Sequence, residues 1–219
     1  MAEHTLALAL ALFRHLKEYS SSAASGDWTS TPQISLRSAE TCCFATIGFG
    51  RIAQSTLKRA AAFGFHRMAA DPYVKPETIE AAGVESVSVE EAFSRADIVS
   101  LHCPLTELTR NLVSRTRLRS MKPGAILINS ARGGLVDTEA LTEVLEKGTL
   151  GGAGLDVTEP EPLPAGHRLY CLPNVIVTPH RAWFSKESEM RLKRFAAEEA
   201  VRALRGEPLK YQVNGDRPE

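Results

Sequence analysis

With 219 residues and 26 Lys plus Arg balancing 26 Asp plus Glu, the chain can bury one full core and an appendage, and it carries no global field that would favour nucleic acid or an anionic membrane. Hydrophobic residues at 43% and charged ones at 24% suit a soluble globular protein. Four cysteines in no paired pattern exclude a disulfide scaffold and fit a reducing cytoplasm, and no Cys or His falls at zinc-ligand spacing, so no metal is expected.

Leu6 to Phe13 alternates Leu and Ala like the apolar core of a signal peptide, but its flanks argue otherwise. Glu3 and His4 precede it, Arg14, His15 and Lys17 follow it, and it is too short to span a bilayer. The pattern predicts a helix from about Glu3 to Tyr19, apolar nearly all round, which needs cover on several sides and points to a partner subunit in a homodimer. Residues 20 to 40 read as a polar connector.

An apolar run, Cys42 to Ile47, then meets an amphipathic one through Gly48-Phe49-Gly50-Arg51-Ile52-Ala53. This predicts a strand, a phosphate-binding turn and a helix over 51–63. Gly48 allows the sharp turn, Gly50 presents no Cβ to a pyrophosphate approaching the helix start, and Ala53 fills the third fingerprint position. Such a turn also joins strand to helix where no ligand binds. Asp71 decides between the two: it ends a second strand (His66 to Ala70) about twenty residues past the glycines, where its carboxylate can accept both ribose hydroxyls and would repel the extra phosphate of NADP.

The alternation continues with helical Lys75 to Ala82, a short strand at Ser86 and Val87, a helical turn from Val89 to Phe93 and a buried strand from Asp97 to Leu101. Next come a helix near Thr116 to Met121, a strand at Ala125 to Asn129, a helix from Asp137 to Lys147, and strands at Gly152 to Asp156 and Val175 to Val177. The fold class is therefore α/β, a Rossmann-type doubly wound parallel sheet with an N-terminal helical arm and a C-terminal helix over about Ser185 to Arg205. The domains are expected at 1–31 (arm and connector), 32–180 (the NAD-binding domain) and 181–219 (C-terminal helix and tail).

Right-handed crossovers place all the strand C-termini on one edge. There Gly48, Asp71, His102-Cys103-Pro104, Asn129-Ser130-Ala131-Arg132, Asp156 and His180 must converge. Arg132 can grip a substrate carboxylate bidentately, although pairing with a surface acid is the commoner fate of arginine. A carboxylate on His180, with Glu161 in the preceding loop, would hold its tautomer and favour its protonated form. His102 reads as structural, and the run Arg110, Arg115, Arg117, Arg119, Lys122 as a solvated helix face.

With these residues assembled, the chain from about Ala2 to Leu209 resembles the D-isomer-specific 2-hydroxyacid dehydrogenases, including the phosphoglycerate dehydrogenase branch and the corepressor-like branch related to the C-terminal binding proteins. The resemblance rests on the Gly48 to Ala53 turn, Leu101 to Thr106, Met121 to Gly124, Asn129 to Asp137, Gly154 to Val157 through Glu161-Pro162-Leu163, and Pro173-Asn174 through Thr178-Pro179-His180. It implies NAD as cofactor and reversible hydride transfer between C4 of the nicotinamide and C2 of a small 2-keto or 2-hydroxy acid. It further implies Arg132 as substrate-orienting arginine, Glu161 as partner of the histidine, and His180 as acid/base. Asp156 would contact the nicotinamide amide, Arg51 and Ile52 would cap the pyrophosphate, and Cys103 with Ser130, Ala131 and Arg132 would line the cofactor. Thr158, where the family often has an aromatic, and Arg181 after the histidine depart from the pattern. Members also carry a segment before the first helix that forms most of the substrate domain, expected here to be absent. A second function follows from that absence: a non-catalytic NAD(H)-binding dimerisation or corepressor-like interaction module. The set Arg132, Glu161 and His180 favours the enzyme, the missing cleft wall the module.

Overall fold

The two-residue alternation of the strands sorts their side chains onto two faces of one sheet. The computed structural model describes residues 1–28 and 36–212, so the 31/32 boundary within the connector and residues 213–219 lie outside the described residues. The chain divides into two units, Met1–Ala182 and Trp183–Glu219.

In the first unit α1 (Ala2–Phe13) and α2 (Leu16–Ala24) precede β1 (Cys43–Ile47), α3 (Arg51–Ala62), β2 (His66–Ala70), α4 (Pro76–Glu80), β3 (Glu85–Ser86), α5 (Val89–Arg95) and β4 (Ile98–Leu101). There follow α6 (Arg115–Ser120), β5 (Ile126–Asn129), α7 (Thr138–Glu146), β6 (Gly152–Leu155) and β7 (Val175–Val177). The seven strands form one sheet in the order β3-β2-β1-β4-β5-β6-β7, with every neighbouring pair parallel. This is the Rossmann-type sheet that the alternation of elements predicts.

Phe44, Ile98, Ile126 and Ile128 point to one face, where they pack with Leu8 and Leu12 of α1, Leu57 of α3 and Ile79 of α4. Their strand neighbours Ala45, Val99, Leu101 and Leu127 point to the other, against Phe93 of α5, Leu118 of α6 and Leu141 of α7. The helices on the second face start on side-chain caps: Ser88, Ser114 and Asp137 accept the amides of Glu91, Arg117 and Ala140. No such cap closes α3, whose N-cap is Gly50.

Two expectations about the arm change. The single helix over Glu3 to Tyr19 is two, because His15 sits in the left-handed region at φ 51° and turns the chain between α1 and α2. The turn lets Lys17 Nζ donate to the carbonyls of Leu172 (3.0 Å) and Val175 (2.8 Å) at the start of β7, and α2 runs on into the stretch read as connector. The apolar run of α1 is also covered by its own chain: Leu6, Leu8, Ala9 and Leu12 are buried. Gly154 makes this possible, since a Cβ there would stand 3.0 Å from Leu8 Cβ and 2.9 Å from Ile128 Cδ1. Burying α1 therefore requires no partner subunit.

In the second unit a capping box of Ser185 and Ser188 opens α8 (Lys186–Leu204). The chain then folds back on that helix: the ring of Tyr211 stacks on Phe195 at 5.9 Å, and Glu199 accepts the amides of Lys210 and Tyr211. No helix among the described residues is long and apolar enough to cross a membrane.

Candidate active site

The sheet order puts β1 beside β4, and their outgoing helices leave to opposite faces, α3 onto one cluster and α6 onto the other. A parallel sheet opens at such a switch point beyond its strand C-termini. Gly48 closes the floor there: at φ 101°, a Cβ on it would stand 3.0 Å from the carbonyl carbon and oxygen of His102. Gly50 faces open space instead, with nothing within 4 Å of a Cβ. With no side chain capping α3, the first amides of that helix point out unclaimed, an arrangement that suits a pyrophosphate.

Asp71 is locked onto this turn. Its Oδ2 accepts the Phe49 amide at 2.8 Å and its Oδ1 the Tyr73 amide at 2.9 Å. A carboxylate oxygen has two lone pairs, so each keeps one for a ribose hydroxyl. A cleft of about 590 Å³ is lined by Ile52 of α3 together with Cys103, Ser130, Ala131 and Arg132. Arg51 lines a neighbouring cavity with Gln54, Lys58 and Arg67 instead. Burial pushes the Cys103 thiol up to about 11, so a neutral, non-nucleophilic sulfur faces the cleft. Burial likewise pushes His102 down to about 4, and its Nε2 lies 3.0 Å from Ser100 Oγ, which fits its structural reading.

His180 and Glu161 stand together in a second cleft of about 420 Å³, shared with Asp156, Thr158, Tyr170 and Thr178. His180 Nδ1 lies 2.6 Å from Glu161 Oε1. The backbone of His180 is left-handed, φ 53°, and its amide donates to the carbonyls of Asp156 (2.8 Å) and Thr178 (3.0 Å). Asp156, only 1% exposed, holds the same loop through its side chain. Its Oδ1 accepts the Thr178 hydroxyl (2.6 Å) and the Arg181 amide (2.8 Å), and its Oδ2 accepts the Ala182 amide (2.8 Å). One lone pair on Oδ2 stays open for an amide.

Arg132 is not brought to that pair. Its guanidinium folds back to the carbonyl of Ala131 at 2.6 Å, on the wall of the first cleft. Between the two clefts stands the first turn of α1, where Thr5 Oγ1 meets Ser130 Oγ at 2.8 Å and His4 Nε2 meets Thr178 Oγ1 at 2.9 Å. His4, Thr5 and Thr178 escaped the sequence reading as site residues. In the sequence His4 is only part of the flank before an apolar run, and nothing local ties it to residue 178. The basic run keeps the solvent exposure expected of it, and four of its members also pair with acids: Arg110, Arg115, Arg117 and Lys122 with Glu159, Glu143, Glu90 and Asp97.

Residues 6–182 match the family profile "D-isomer specific 2-hydroxyacid dehydrogenase, NAD binding domain". The chain belongs to that family. It is 40% identical over 217 residues to the D-3-phosphoglycerate dehydrogenase of Methanocaldococcus jannaschii, an alignment that covers 98% of this chain and 41% of the relative. The chain thus spans about two fifths of that relative's length. Among solved structures, the TT0316 protein of Thermus thermophilus superposes with a TM-score of 0.87 at 43% identity, over 97% of this chain and 67% of that one. D-lactate dehydrogenase with NAD+ from Lactobacillus jensenii superposes with a TM-score of 0.89 at 32% identity, over 98% and 68%. In this chain the matched region is the family's NAD-binding domain, and the uncapped α3 start, the open face of Gly50 and the acceptor at Asp71 suit that cofactor.

Proposed function

We propose that the chain is the cofactor half of an NAD-dependent oxidoreductase acting on a small 2-keto or 2-hydroxy acid. The observation that carries this reading is the His180–Glu161 pair, 2.6 Å apart on the sheet edge that also holds the phosphate turn. A carboxylate only accepts, so Nδ1 carries the hydrogen of that bond, and Nε2 is the nitrogen left to give a proton to, or take one from, the substrate oxygen at C2. Arg132 would release Ala131 and hold the substrate carboxylate with its planar fork, stabilising negative charge on the oxygen during reduction. NAD, when bound, supplies the hydride acceptor or donor. Asp71 would favour NAD over NADP by repelling the extra phosphate.

The test is NADH binding by fluorescence titration, followed by NADH oxidation with a panel of 2-keto acids. Binding with turnover is expected; no binding would overturn the reading. Binding without turnover would favour the second reading, a non-catalytic NAD(H)-binding interaction module. That reading draws on the place of Arg132, on the wall of a cleft other than that of His180. Under either reading we infer a cytoplasmic homodimer divided at 1–31, 32–180 and 181–219. The exposure of α2, none of whose residues is buried in one chain, supports the dimer. Sedimentation that gives a monomer at high concentration would defeat the dimer.

A further inference from the structure

We propose that His4 is a positioning residue for His180, acting through Thr178 and Asp156 and never touching substrate. The inference deepens the acid–base reading of His180 and rests on it. It begins with a proton count. Thr178 has one hydroxyl proton and gives it to Asp156 Oδ1 across 2.6 Å, so Thr178 Oγ1 can only accept at its other contact. His4 Nε2, 2.9 Å away, must then be the donor, which places a hydrogen on that nitrogen. The same nitrogen lies 3.5 Å from Asp156 Oδ1. The order is thus His4 to Thr178 to Asp156, three side chains from α1, from the segment after β7 and from the end of β6.

Two features give this relay a task. The first is burial: Asp156 is shut off from water, and a shielded carboxylate depends on its donors. Two of them are the amides of Arg181 and Ala182, so the carboxylate is a peg around which residues 178–182 are wrapped. The second is the backbone of His180. Its left-handed conformation is uncommon for a non-glycine residue and persists only where the surroundings over-determine it. The surroundings here are that wrapped loop, and His4 braces it from the opposite side. A histidine on a solvated helix face would have no reason to turn its ring inward, yet this side chain is only 27% exposed. Thr5, the next residue, ties the same helical turn to Ser130. The start of α1 therefore sets the spacing between the cofactor cleft and the His180 cleft.

The experiment compares wild type, His4→Leu and His4→Gln, since Gln can still donate to Thr178 and Leu cannot. The first readout is the proton NMR signal of His180 Nδ1–H in its bond to Glu161, assigned with His180→Ala and followed without cofactor. The second is kcat beside the NADH Kd. His4→Leu should shift or broaden the signal and lower kcat by about 10- to 100-fold with the NADH Kd little changed; His4→Gln should restore both. An unchanged signal in His4→Leu, or equal loss in the Leu and Gln variants, would overturn the proposal. A wild type that neither binds nor oxidises NADH would overturn the functional reading instead, and the cofactor-free NMR comparison would still decide the role of His4.

Discussion

His180 Nδ1 and Glu161 Oε1 lie 2.6 Å apart, although both side chains are nearly half exposed. A contact this open to solvent contributes little to stability. Its consequence is chemical: it commits one imidazole nitrogen and leaves the other open for the proton transfer proposed above. His180→Ala is therefore expected to abolish reduction of a 2-keto acid while leaving the NADH Kd nearly intact, and equal loss of both would sink the assignment. Glu161→Gln should lower kcat by about 100-fold, at the small end of what acid–base groups supply, without altering thermal stability. Steady-state kinetics beside a melting curve would check both.

The two roles proposed for Asp71 can be separated from the chemistry by one substitution. Asp71→Ala removes the acceptor proposed for the ribose and frees the Phe49 amide of the Gly48–Gly50 turn. NADH should bind at least about tenfold more weakly, the loss expected for one hydrogen bond to a charged group. The ratio of NADPH to NADH affinity should rise, because the repelling charge is gone. Parallel titrations with the two dinucleotides measure this, and an unchanged ratio would refute the ribose role.

Gly154 is where α1 meets the sheet. A Val there must push against Leu8, Leu12 and Ile128, all of them buried. Gly154→Val should destabilise the fold by about 1–3 kcal/mol, the usual cost of overpacking a filled core. Urea unfolding reports this directly. Loss of cooperativity would show that α1 has detached.

His102 makes stability depend on pH. Its folded pKa, about 4, lies below the ordinary 6.5, so between those values the unfolded chain binds a proton that the folded one does not. Stability from this group is complete above about pH 6.5 and falls as pH drops toward 4, by on the order of 3 kcal/mol in total. His102→Gln keeps a hydrogen-bonding group near Ser100 but cannot titrate. Its unfolding free energy should vary less between pH 7 and pH 4 than that of wild type, and parallel slopes would refute the assignment.

The local grammar of the chain was enough for most of the fold. Apolar alternation marks the strands, Gly48 and Gly50 mark the turn, and an Asp closing the second strand marks the position proposed for the ribose. All are written within a few residues or one βαβ unit, so no distant partner had to be known. The order of elements alone then brought Gly48, Asp71, His102, Ser130, Asp156 and His180 to one edge, because parallel crossovers allow no other placement.

What only the tertiary structure decided is who meets whom across long stretches of chain. The leucines of α1 announce burial but not the surface that buries them, and the answer lies in Gly154, a residue whose missing side chain leaves no hydrophobic signal. His15 breaks a helix whose composition runs on, and the basic run finds acids on other elements. His4 and Thr178 are separated by 174 positions, and Asp156 serves as the buried peg of a loop that follows it by more than twenty. Periodicity records which side of an element faces inward. It carries no address for the partner, because that address is set by how the finished layers pack.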